Sequence, residues 1–118
     1  MYELLQHLLA FKYACKINHW STDSYASHLL FDRLSEDVDT WVDTVAESYF
    51  MARDEKKVFK ADILNPKMIN KNLVKMCQDI ISHLEDLIEN GDLDEGTKST
   101  LGDIEALFLS KLALAQLS

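Results

Sequence analysis

Residues 18–47, NHWSTDSYASHLLFDRLSEDVDTWVDTVAE, decide how this chain folds. Ser21–Ser24 (STDS) breaks an otherwise helical pattern with residues that favour helix caps. A first helix over residues 2–20 therefore ends near His19–Trp20, and a second starts near Asp23 or Ser24 and runs to about Arg53. So short a connection makes the two helices antiparallel neighbours. Reflection about the turn sets His19 level with His28.

The second helix carries two i,i+4 pairs, His28/Asp32 and Asp43/Glu47, and each pair shares one helix face. The eleven residues from Asp32 to Asp43 are close to three turns, so both pairs point roughly the same way. At ~1.5 Å rise per residue the pairs lie ~16 Å apart, too far to meet on one helix. Two antiparallel copies of the helix would bring them together. Positions 28 and 47, like 32 and 43, are placed symmetrically about the point between 37 and 38. A two-fold axis there sets His28 level with the partner's Glu47 and Asp32 level with the partner's Asp43. The core seam of the same helix is Leu34, Val38, Trp41, Val42, Val45 and Tyr49. It centres roughly 145° from the ligand face, at ~100° per residue. The candidate ligands His19, His28, Asp32, Asp43 and Glu47 are thus expected at a contact between subunits. Glu36 would then face the partner's Asp39, a like-charge juxtaposition that costs stability.

The rest of the chain reads as helices. Apolar residues lie around most of the first helix, which calls for cover from more than one direction. A linker of about twelve residues, 54–65, carries charges and no clear period. Asn65-Pro66 reads as the start of a third helix, with a seam of Ile69, Leu73, Met76, Ile80, Leu84 and Leu87 ending at Asn90-Gly91. A fourth, from about Asp94 to Leu117, has Leu101, Ile104, Phe108, Lys111 or Leu112, and Ala115 on its seam. With 3 glycines and 1 proline in 118 residues, the expectation is a single all-α domain over 1–118. Its economical form is a four-helix bundle, with antiparallel A–B and C–D hairpins joined by a long B–C linker.

Charge narrows the function. A formal net charge of −8, with no basic tail, argues against DNA binding and suits a surface that attracts cations. No stretch is long and apolar enough to span a membrane, and the N-terminus lacks the basic start of an export signal. Cys15 and Cys77 lie in apolar helical patterns and read as core thiols of a reducing, cytoplasmic compartment.

The central stretch resembles the signature of the Dps family, the miniferritins named as DNA-binding proteins from starved cells. His19-Trp20 ends the first helix; His28-x3-Asp32, ten intervening residues and Asp43-x3-Glu47 come next, and the DTVAE ending also resembles the family's. The C-terminal DIEALFLSKLALAQL is weakly similar to its last helix. The resemblance implies a ferritin-like bundle with ferroxidase sites at a two-fold homodimer interface. Fe(II) would be oxidised there by peroxide or dioxygen, with iron stored in a twelve-subunit cage. His28 and Asp32 would bind iron with the partner's Asp43 and Glu47, His19 would be a nearby ligand, and Trp20 would flank the site. The chain departs from the family in a His19–His28 gap three residues shorter, in having no full helix in the linker, and in lacking a basic tail. Zinc in place of iron, as a non-catalytic clamp, and a metal-free helical interaction module are the alternatives.

Overall fold

The computed structural model describes residues 1–117, and every regular element among them is helical. The helices are α1 (Tyr2–Ser21), α2 (Tyr25–Val45), α3 (Leu73–Asn90) and α4 (Glu95–Ala115). A π-helical turn, Ala46–Met51, continues α2, and three single 3-10 turns lie between it and α3. The chain divides into two compact units, Tyr2–Lys71 and a second beginning at Asn72.

In the first unit α1 and α2 form an antiparallel hairpin. Ser24 caps α2, its side chain accepting from the Ser27 amide, as the STDS turn predicts. Lys12 pairs with Asp39, Lys16 with Asp32 and His19 with His28, so the two helices run past each other in opposite directions. Leu4, Leu5, Leu8, Ala10, Phe11, Ala14 and Cys15 of α1 are all buried. They span an arc of roughly 220° at ~100° per residue, so the wide apolar surface of α1 is covered within a single chain.

The linker travels alongside α1. The Gln6 side chain donates to the Asp62 carbonyl at 3.4 Å and the Asn18 side chain to the Lys71 carbonyl at 3.3 Å. Residues 62–71 therefore ascend α1 from its start to its last turn, an extended crossover path. One expectation fails here. Asn65 does accept from the Lys67 amide ahead of Pro66, but it caps only the 3-10 turn Pro66–Met68. The helix begins at Leu73, with Asn72 accepting from the Lys75 amide. Ile69 has an extended ψ of 122°, so the chain leaves the helical region at once and starts again three residues later. Two Asn caps lie seven residues apart, and only the second is followed by a seam that can be buried.

In the second unit α3 and α4 pack on each other through the expected seams. Leu73, Met76, Cys77, Ile80, Ile81 and Leu84 are buried on α3; Leu101, Ile104, Phe108, Lys111 and Ala115 are buried on α4. Gly91 ends α3, its amide donating to the Leu87 carbonyl; a Cβ there would collide with that same oxygen. Both cysteines are buried, and no disulfide is present among the described residues. Burial pushes the Cys77 thiol up to about 12. At pH 8 its thiolate fraction is then about one in ten thousand. Iodoacetamide at pH 8 is expected to leave Cys77 unmodified in native protein and to alkylate it in urea, as read by peptide mass spectrometry. Rapid native labelling would show that α3 opens.

The end of α2 departs from a regular helix, and Phe50 gives the reason. On a straight α-helix Phe50 would lie on the same meridian as Asp32, ~18 residues or five turns away, facing outward. The π turn takes about 4.4 residues per turn, roughly 82° each, and so turns Phe50 back by ~90°. That brings it into line with Phe31 and Val42, and Phe50 is only 3% exposed. There its ring meets Tyr49 edge-on at 5.0 Å and Phe59 at 6.1 Å. The seam predicted Tyr49 at this place; Tyr49 is instead half-buried, with the Arg53 guanidinium over its ring at 4.1 Å. Asp54 closes the element at φ 55°, while Glu55 donates to the Phe50 carbonyl and Asp54 to that of Met51. This is the left-handed C-terminal cap usually made by glycine, and aspartate is among the residues that tolerate it.

Candidate metal centre

His19 leaves α1 in its last turn and His28 lies in the first turn of α2, so the short Ser21–Ser24 turn folds one over the other. The imidazoles stack with centroids 3.7 Å apart and planes 23° from parallel. Their bonds are reciprocal. His19 Nδ1 donates to the His28 carbonyl at 2.6 Å, and His28 Nδ1 donates to the His19 carbonyl at 2.8 Å. A carbonyl oxygen can only accept, so each Nδ1 carries a proton. In the neutral rings the lone pair then belongs to Nε2, the state in which a histidine binds a transition metal. The backbone thus orients both rings. Tyr25 extends the stack beyond His28 at 6.4 Å, while Trp20, the expected flanking aromatic, is 70% exposed.

Asp32 is one turn along α2 from His28 and is held by Lys16, whose Nζ donates to Oδ1 at 2.7 Å. This hydrogen bond holds the Asp32 carboxyl below the usual carboxylate range, and the neighbouring charge of Lys16 acts in the same direction. The same hydrogen bond raises Lys16 above the ordinary lysine value. Asp32 is therefore an anion at neutral pH whose present counter-ion is a lysine. Lys12 Nζ likewise donates to Asp39 Oδ1, at 2.6 Å. Neither lysine stands out in the sequence. Their i,i+4 spacing on α1 is the available signal, since it places both on one edge of the helix facing α2.

Asp43 and Glu47 are exposed on the outer face of α2. Glu47 falls within the π turn. A straight helix would set it ~40° round from Asp43; the wider turn brings the two to within roughly 10° of one meridian. The structure thus brings His19 and His28 together at one end of the hairpin, with Asp32 one turn along α2 and paired with Lys16, and leaves Asp43 and Glu47 on the outer face near the other end. Among the described residues of one chain, no three His, Cys, Asp or Glu side chains gather closely enough to hold a metal ion.

Fold and site together define a class: an all-helical protein whose first hairpin carries paired histidines and a carboxylate-lined outer face. The chain belongs to a family of unknown function (DUF5856), whose model matches residues 19–112. That match begins at His19 and takes in all five candidate ligands. No curated protein and no solved structure matches the chain. None of the helices among the described residues is long and apolar enough to cross a membrane.

Proposed function

We propose that this protein is a Dps-like iron-binding protein that oxidises Fe(II) at sites shared between two copies of the chain. In this reading the two hairpins are halves of a ferritin-like four-helix bundle. His28, Asp32 and the nearby His19 come from one copy, and Asp43 and Glu47 from the other. The observation that carries it is the reciprocal histidine pair, whose two Nδ1 atoms are occupied by carbonyls beside an ionised carboxylate. Those bonds fix the tautomer of both rings and leave Nε2 as the acceptor on each. A mixed imidazole–carboxylate set with open positions suits Fe(II), and added carboxylates favour the harder Fe(III) product.

Iron is the substrate here. Two ferrous ions each give one electron to hydrogen peroxide, which takes up two protons and leaves as two water molecules. The chain's part is to place the ions, exclude side reactions, and attract cations with its net charge of −8. The test is anaerobic loading with Fe(II), then peroxide, followed by the absorbance of Fe(III). Formation faster than in protein-free buffer is the expected result. Tight binding without oxidation would instead make the site a divalent-metal clamp, for which zinc is equally suited by the donor set. No metal binding at all would leave the chain as an interaction module.

Lys16 provides a graded check. A cation entering at Asp32 must displace it, and solvent-screened pairs of this kind are weak. Lys16→Gln is therefore expected to tighten metal binding by up to about fivefold, measured by calorimetry. Weaker binding in the variant would mean that Lys16 supports the site instead of competing for it.

A further inference from the structure

We infer that the outer face of α2 is a self-association surface closed at each end by an apolar contact, Tyr25 of one copy against Met51 of the other. This rests on the two-fold pairing of helices proposed above and adds what holds that pairing together without metal. Three large apolar side chains lie on this face and are well exposed: Tyr25 at 75%, Leu29 at 50% and Met51 at 50%. Between them the face carries carboxylates.

The π turn decides where Met51 points. On a straight helix it would sit ~100° round from Asp32, at the edge of the face. Turned back by roughly 110° over six wider steps, it lands close to the Asp32 meridian, on the same stripe as Tyr25 and Glu47. The wider turn also rises less per residue, so Met51 reaches about the height that residue 50 would have on a straight helix. Under the axis between residues 37 and 38, that is the level of Tyr25 of the partner subunit. Leu29 is then level with the partner's Ala46, a small residue that leaves it room. Apolar residues meet apolar ones, twice, as an isologous interface requires.

Charge does not exclude the same occupant. His28 is level with the partner's Glu47. Asp32 faces the partner's Asp43, and Glu36 faces the partner's Asp39. In each of these like-charge pairs one member already carries a lysine of its own chain, Lys16 on Asp32 and Lys12 on Asp39. The repulsion that the sequence raises against this packing is thereby reduced at both places.

Metal-free protein is expected to sediment as a dimer at micromolar concentration. Tyr25→Ser with Met51→Ser removes both contacts and is expected to weaken the dimer by about 100-fold, roughly tenfold for each of two equivalent contacts. A chain carrying both Tyr25→Cys and Met51→Cys should form a disulfide-linked dimer on mild oxidation, whereas either cysteine alone should not. A metal-free monomer, an unweakened serine variant, or equal cross-linking by Tyr25→Cys alone would each overturn the inference. If the metal-free chain is monomeric and Fe(II) or Zn²⁺ makes it dimeric, the shared site stands and the apolar closure falls. If the double-cysteine dimer forms but the protein neither binds nor oxidises iron, the closure stands and the ferroxidase reading falls.

Discussion

Two inactive variants, mixed in equal amounts, are expected to recover about one quarter of the wild-type sites. One variant carries His28→Ala and Asp32→Ala; the other carries Asp43→Ala and Glu47→Ala. Alone, each lacks half of every shared site. Loss of two ligands is expected to lower metal affinity by at least about 100-fold, since losing a group that merely orients a ligand already costs roughly 10–100-fold. Unfolding the mixture and refolding it lets subunits redistribute at random, so half the dimers are hybrids. In a hybrid one site collects all four mutations, while the other receives His28 and Asp32 from one chain and Asp43 and Glu47 from the other. That second site is intact. Half the dimers with one intact site of two gives the quarter, read as Fe(III) formed per chain. A mixture no more active than its components would exclude sites shared in this way. Variants that stay active alone would show that these carboxylates and histidines are not the ligands.

The second large effect concerns the core. Phe50→Ala is expected to destabilise the chain by about 3–5 kcal/mol, the range for truncating a buried aromatic. Tyr49→Ala should cost no more than about 2 kcal/mol, as expected for a half-buried position. Phe50 is 3% exposed and meets the rings of Tyr49 and Phe59 edge-on, so its removal leaves a void beside them. Urea unfolding with unchanged slope would measure both differences directly. The reverse order, with Tyr49 the costlier loss, would place Tyr49 in the core and restore a straight helix through residue 50.

Tyr49 and Phe50 also show why some of the fold was legible from sequence and some was not. The α1–α2 hairpin was legible because the STDS turn is short and its cap chemistry local, and His19 over His28 results from reflection about that turn. The seams of α3 and α4 were legible because periodicity of buried residues is a direct imprint of packing. The π turn was not, because the sequence Ala46–Met51 is as compatible with an α-helix as with the wider turn. What selects the wider turn is the burial of Phe50, a tertiary gain that outweighs the local preference. The false start at Asn65 has the same origin: Asn-Pro states that a helix can begin, and only burial of the next residues along the chain decides whether it continues. Within the site, the five candidate ligands could be named from spacing, but not their present partners. Lys16 on Asp32 depends on where two helices cross, and a lysine on an amphipathic helix carries no mark of the carboxylate it will meet.

The π turn also bears on how this chain should be compared with others. One widened turn in place of an α-turn accommodates about one extra residue without moving the helix before it. An alignment that carries Asp43-x3-Glu47 across without a gap will match the carboxylates and then run one residue out of step beyond them. Phe50 would be set against a surface position and Met51 against one at the edge of the ligand face. A one-residue gap just after Glu47 corrects this, so a relative with a straight helix here is expected to show an apparent deletion near position 48 when aligned with this chain.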